Sequence, residues 1–262
     1  MITTYHRPKS LDEALALLAQ NNRMPLGGGT FLSHASSPLS ASPTTDPVEV
    51  VDLQALRLDS IKKNGNNLEI GATATLQQLY ESEFCPAALK SAIKLEAQLN
   101  VRNAATVAGT LVVGDGRSTF SATLFALDAK LETEAGAPKQ NADTMSLGEF
   151  LPLRMEKLQG KLITSITIPL NVKLAFDYVS RTPADKPIVC AALAQWNSGR
   201  TRLVLGGYGK SPLLAMDGTE AEGIETAARN AFHEATDEFA SAEYRMDVAA
   251  TLAKRCLQSL AQ

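Results

Sequence analysis

The chain has 262 residues, of which 45% are hydrophobic and 20% charged, and its formal net charge is -3. Such a composition supports a large apolar core and excludes a disordered chain. It lacks the basic excess by which proteins grip nucleic-acid phosphates, and no run of about 18 apolar residues is present to span a bilayer.

The opening residues 1–8 lack the charged and then apolar order of a secretory leader, which makes cytoplasmic residence the default expectation. In chain order, Ser10 with Glu13 three residues on has the spacing of a capping box, and it opens a helix predicted over 10–20. Leu11, Ala14, Leu15, Leu17 and Leu18 fall on one face of that helix. A short apolar strand over 24–26 leads into Gly27-Gly28-Gly29-Thr30. Residues 33–47, rich in Ser, Pro, Thr and Ala, read as a long loop of the kind that is often functional. Strands are predicted over 48–53 and 60–61, with Asn64-Gly65 turning into a returning strand over 68–72. Thr75 caps a helix over 76–81, and a further helix spans 86–99.

Residues 106–110 read as a second glycine-bearing loop, which leads through 111–119 into an inward-packed helix or turn over 120–127. Strands at 130–134 and 162–169 enclose a polar loop over 136–143 and a helical cap at 146–150. Past a boundary near 169–173 come strands over 175–181, 188–196 and 201–206. Helices over 220–238 and 244–260 follow, the second capped by Ser241. Strands followed by helices describe a compact α+β unit.

Two segments have the composition of a binding site. Glycine admits backbone amides to hydrogen-bond distance of a phosphate, and Thr30 adds a hydroxyl donor to the triplet before it. No lysine stands where a Walker loop needs one, and the spacing is not Gly-x-Gly-x-x-Gly. By itself such a triplet is more often plain turn geometry than a phosphate site. The small residues and hydroxyls of 100–110 read either as a helix end packed tightly on a sheet or as a second backbone cradle for the same anion. His6, His34 and His233 lack metal-binding spacing, with His34 a weaker candidate for a phosphate contact. Cys85, Cys190 and Cys256 read as reduced, buried thiols, and Trp196 and Tyr208 as core or interface.

Taken together the segments resemble the flavin-binding medium subunits of the molybdenum hydroxylases, the carbon monoxide dehydrogenase and xanthine dehydrogenase type. The resemblance runs nearly end to end. It begins with Tyr5-His6-Arg7-Pro8, Pro25 through Thr30, Val51-Asp52-Leu53 and Ile70-Gly71-Ala72. It continues through Val101-Arg102-Asn103-x-Ala105-Thr106-Val107-x-Gly109, Leu127-Asp128-Ala129 and Glu149-Phe150. Leu162-Ile163, Ala175-Phe176 with Arg181, and Leu205-Gly206-Gly207 with Pro212 complete it. The resemblance implies an α+β fold: a two-lobed, PCMH-type (vanillyl-alcohol-oxidase-like) FAD-binding domain over 1–170, with lobes of about 1–52 and 53–170. A small domain of three strands plus helices would follow over 171–262. FAD would be held by Gly27, Gly28, Gly29 and Thr30, by Thr106, Ala108, Gly109 and Thr110, and by Asp115, Thr119 and Leu162. It implies as partners an iron-sulfur small subunit and a molybdenum-cofactor large subunit, with NAD, oxygen or a quinone as acceptor. No acid-base catalytic residue is expected, because the flavin carries the redox chemistry.

The chain departs from the family pattern at four places. Phe31 replaces the acid that usually follows the first glycine loop, and the second motif ends Ala108-Gly109-Thr110 where Gly-Gly-Asn is usual. Thr119 stands where an acid would meet the ribityl hydroxyls, so either Asp115 takes over or the run is remodelled. Asp177-Tyr178 stand where a lysine often lies near the flavin ring. Two functions therefore stay open: a working FAD subunit with a retuned site, or a flavin-poor scaffold subunit of the same complex.

Overall fold

A computed structural model of the chain describes residues 2–20, 22–32, 48–136 and 142–261. The loop expected over 33–47, with His34, lies outside the described residues, as does most of the polar loop over 136–143.

The first lobe comprises β1 (Ile2–His6), α1 (Leu11–Leu18), β2 (Arg23–Leu26) and β3 (Val48–Asp52), its parallel strands ordered β1-β3-β2. Ser10 caps α1 by accepting from the amide of Glu13 at 3.3 Å. The Glu13 carboxylate takes the amide of Lys9 at 2.8 Å, one residue before the cap, so the box is offset from its usual form. Asp52 is buried and ties the sheet together, accepting from the Tyr5 hydroxyl and from the amide of Gln54 at 2.9 Å.

The second lobe runs through β4 (Ile61–Asn64), β5 (Asn67–Gly71), α2 (Leu76–Glu81), α3 (Ala87–Glu96), α4 (Leu99–Arg102), α5 (Val107–Val113) and α6 (Thr119–Ala126). It is completed by β6 (Lys130–Ala135), β7 (Asp143–Ser146), α7 (Leu147–Phe150), α8 (Arg154–Lys157) and β8 (Lys161–Pro169). Its antiparallel sheet has the order β4-β5-β8-β6-β7. Full capping boxes form at Thr75/Gln78 and Ser146/Glu149. The helix expected over 86–99 breaks at Ala97, which is extended, and restarts as α4. The stretch expected as a loop from 106 is the helix α5, capped by Thr106.

The C-terminal unit comprises β9 (Val172–Val179), β10 (Val189–Trp196), β11 (Thr201–Gly206), β12 (Leu213–Gly218), α9 (Ile224–Ala231) and α10 (Ala242–Leu260). Its antiparallel sheet is ordered β12-β11-β10-β9, one strand more than the three the sequence suggests. The added strand, LLAMDG, is half-exposed at an edge and ends in Asp-Gly, so it carries little of the alternation that marks a half-buried strand. The helix expected over 220–238 is confined to α9, and residues 233–241 fold as turns.

Strand β10 is buried on both faces. Cys190, Ala192 and Ala194 join the core of the second lobe, while Val189, Ala191 and Leu193 face the core around α9 and α10. Helix α6 is buried at every position, and its Thr119 and Thr123 hydroxyls are satisfied by the carbonyls of Ala92 and Thr119. A single core thus crosses the boundary near Pro169. All three cysteines are buried and free, and burial pushes each thiol pKa up to about 12.

One charged residue is fully enclosed. Arg245 of α10 pairs with Asp237 through two bonds of 2.8 and 2.9 Å. It also donates to the carbonyls of Ala235 and Ala240 at 2.6 and 3.0 Å, and to Ile188 and Gly207 at 3.3 and 3.4 Å. It clamps the 235–240 turns onto the ends of β10 and β11. Burial opposes ionisation of Asp237, but the Arg245 bonds and the amides of Phe239 and Ala240 outweigh it and hold the carboxyl below the usual range.

Removing one partner of a buried pair leaves the other charge uncompensated. Arg245→Met is expected to lose about 3–5 kcal/mol in a urea titration at neutral pH. The pair's contribution is complete above the ordinary carboxylate range. It should fade as pH falls through the lowered Asp237 value, bringing the two proteins together in acid. Equal stability at neutral pH would contradict the clamp.

Candidate functional site

The glycine turn after β2 lies directly on the segment between α4 and α5. A Cβ on Gly28 would fall 1.6 Å from the carbonyl oxygen of Ala104, an impossible approach to backbone. A Cβ on Gly27 would fall 2.7 Å from the Thr106 Oγ1, and so would one on Gly109. Gly27 and Gly28 are thus in contact across the two segments, Gly28 against backbone, while Gly109 abuts the Thr106 side chain within its own segment. Gly29 adds a left-handed turn at φ 70°.

Helix α2 fixes the other side of this seam. The Leu76 amide donates to Ala105 O at 2.9 Å, and Thr75 forms a β-bridge with Thr106. The amides of Val107 and Ala108 donate to Ala74 O and Ala72 O at 2.8 and 3.2 Å. Gly109 donates to Thr106 Oγ1 at 3.2 Å, and the Thr110 amide to Thr106 O at 2.9 Å. The first amides of α5 are thus engaged within the protein. Among the described residues, no acceptor meets the amides of Gly27 and Gly28. The seam can offer an anion those two amides and the proton of the Thr106 hydroxyl.

The remaining predicted residues lie in different surroundings. Thr110 is buried and donates its hydroxyl to Thr106 O at 2.9 Å. Thr119 is buried at the start of α6 and donates to Ala92 O at 2.8 Å. Asp115 accepts from the Arg117 amide at 2.9 Å and pairs with Lys186 at 3.6 Å. Leu162 places its side chain in the first-lobe core with Ala14, Leu15 and Val51. Asp177 pairs with Arg255 of α10 at 3.7 Å, and Tyr178 stacks on Phe176. Trp196 packs against the second-lobe core, and Tyr208 lies beneath Arg245, the interior roles expected of them.

The C-terminal unit is stitched to this lobe at Gly116. Its amide donates to Gly209 O at 2.9 Å and its carbonyl accepts from Gly207 at 2.7 Å. A Cβ on Gly116 would lie 1.8 Å from Tyr208 O. Arg117 donates to Pro187 O and Lys186 O at 3.2 and 2.7 Å, with its guanidinium 4.2 Å from the centre of the Phe239 ring. Beside this junction is a cavity of about 420 Å³, lined by Lys94, Glu96, Ala97 and Gln98 on one side and by Pro183, Ala184 and Lys186 on the other. Glu96 was not among the residues singled out from the sequence. The available signal is that it is the one acid between Glu83 and Asp115.

Fold and seam define a two-lobed α+β nucleotide-binding subunit with a C-terminal sheet-and-helix unit. Residues 1–171 match the family described as FAD binding domain in molybdopterin dehydrogenase, and the chain belongs to that family. It is 30% identical to the protein YgfM of Escherichia coli (strain K12) over 96% of this chain and 94% of that protein. It is 28% identical to the carbon monoxide dehydrogenase medium chain of Hydrogenophaga pseudoflava, over 97% and 96% of the two chains. The structure of quinoline 2-oxidoreductase from Pseudomonas putida 86 superimposes with a TM-score of 0.81 at 22% identity, over 100% of this chain and 98% of that one, a likeness of fold. The cofactor is FAD, and the chain is a subunit of an FAD-dependent oxidoreductase of the molybdopterin dehydrogenase type.

If the diphosphate of FAD lies on the seam, widening it should release the cofactor. Gly28→Ala forces the turn away from Ala104, and its Kd for FAD, read from flavin fluorescence, is expected to rise at least tenfold, about 1.4 kcal/mol. Unchanged affinity would move the diphosphate elsewhere.

Proposed function

We propose that this chain is the electron-transfer subunit of a molybdenum-dependent hydroxylase. It would receive electrons from iron-sulfur clusters of a small subunit, themselves supplied by a molybdenum-cofactor large subunit, and deliver them to NAD, oxygen or a quinone. The observation that carries the reading is the seam itself, two segments in contact where, among the described residues, the amides of Gly27 and Gly28 meet no acceptor beside the Thr106 hydroxyl. Membership in the FAD-binding family and the medium-chain names of the relatives support it.

Bound FAD supplies the capacity to accept electrons singly and release them in pairs; position and electrostatics come from the protein. Gly27 and Gly28 would hold the diphosphate through their amides, and Gly29 and Thr30 would close the turn around it. Thr106 would donate its hydroxyl proton while its oxygen stays fixed by Gly109. In this reading Ala108, Gly109 and Thr110 act as the wall that sets the depth of the site, through contact more than through donated hydrogen bonds. Among the described residues no helix is long and apolar enough to cross a membrane.

The purified full-length chain is expected to show flavin absorbance and to release close to one FAD per chain by mass, as isolated or after incubation with FAD. Rapid mixing of the assembled complex with its substrate should then bleach that absorbance only when the iron-sulfur subunit is present. A chain that takes up no FAD under either condition would favour the flavin-poor scaffold instead.

A further inference from the structure

Glu96 is the last residue of α3, where the negative end of the helix dipole disfavours a carboxylate. The α6 end of the neighbouring segment compensates. Glu96 Oε2 accepts from Ser118 Oγ and from the Phe120 amide, each at 2.9 Å, with Thr119 Oγ1 3.2 Å away and its proton on Ala92 O at 2.8 Å. Ser118, Thr119 and Phe120 are all buried, so this oxygen is rigidly held. Among the described residues no donor reaches Oε1.

The carboxylate lines the cavity of about 420 Å³ between the α3–α4 corner and residues 183–186. Two lysines share that cavity, Lys94 and Lys186, and Lys186 is already paired with Asp115 at 3.6 Å. Helix α4 links the cavity to the phosphate seam. Gln98 and Ala97 form the cavity wall, Arg102 donates to Ala97 O at 2.9 Å, and Ala104 two residues on meets Gly28. One short run of chain, 97–104, thus borders both the cavity and the seam.

We propose that Glu96 is a binding residue for FAD, accepting a hydrogen bond through Oε1 from a hydroxyl of the ribityl chain within this cavity. An ionised carboxylate is acceptor-only and suits a hydroxyl donor. With Oε2 already fixed by Ser118 and the Phe120 amide, little ordering remains to oppose binding. The sequence places the ribityl contact at Thr119, whose hydroxyl is turned inward to Ala92 O and lies against Glu96. In this chain the carboxylate beside Thr119 takes over that contact. The proposal rests on the FAD reading above, and the two are separable by ligand.

The test compares Kd values for FAD and ADP on the full-length chain and on Glu96→Gln, by titration calorimetry. ADP carries a diphosphate and lacks the ribityl chain. A hydrogen bond to a charged group typically governs binding by about tenfold to a hundredfold. Glu96→Gln should weaken FAD by at least about tenfold and leave ADP within about twofold. Equal FAD affinity in the two proteins would overturn the proposal. Parallel loss of FAD and ADP would also overturn it, by assigning Glu96 to the fold alone. Wild-type protein that binds neither ligand would instead overturn the phosphate seam beneath it. Ser118→Ala, which frees Oε2 of one donor and keeps the charge, serves if the first variant does not fold. A measurable rise in Kd for FAD with ADP unchanged supports the proposal, and no change overturns it.

Discussion

The Thr106 hydroxyl is the contact on which the arrangement depends. Two glycines from distant parts of the chain, Gly27 and Gly109, approach it so closely that a Cβ on either would force the Thr106 side chain to move. The same oxygen caps α5 by accepting from Gly109, and its backbone bridges to Thr75. A small side chain thus joins the first lobe, α2 and α5 at one point. Gly28 against the Ala104 carbonyl extends the contact into a seam. Its depth follows from van der Waals limits, and so do the positions of the amides that remain available.

The C-terminal unit belongs to the same construction. Inward residues of β10 complete the second-lobe core, and Gly116 exchanges backbone bonds with Gly207 and Gly209. A charge network makes a second tie. Asp128 of the second lobe meets Arg200 at 3.0 Å and Arg202 at 3.5 Å, and both arginines reach Asp217. Arg202 is buried and so is less open to the screening that weakens surface ion pairs, while Arg200 stands at the surface end of the network. Arg245 holds the far side of the junction by gripping Gly207 and Ile188. The cavity beside Glu96 lies between the α3–α4 corner and residues 183–186 of the C-terminal unit.

Much of the fold was legible where local chemistry decides it. Thr75, Ser146 and Ser241 are caps by residue type and spacing, and β8 and β10 alternate or run apolar as strands must. What escaped depends on distant partners. Strand β1 is held by parallel pairing with β3, which no local pattern encodes, and α5 begins with Val-Ala-Gly-Thr, a poor helix opening unless Thr106 and the strand-side carbonyls of Ala72 and Ala74 support it. The two glycine segments were readable as a pair, but the reason for their glycines was not. The sequence suggests room for a phosphate, whereas the immediate neighbours are Thr106 and Ala104. Glu96 was hidden for a related reason. Its role rests on Ser118, Thr119 and Phe120, more than twenty residues away.

The central claim is that one ligand bridges the two glycine-bearing segments. Hydrogen–deuterium exchange of the full-length chain with and without FAD tests it most directly, because each segment reports on its own peptide. Concerted protection of the peptides containing Gly27 to Thr30 and Ala104 to Thr110, saturating at the same FAD concentration, is the result this account predicts. Protection confined to one of them, or lying wholly outside both, would contradict it.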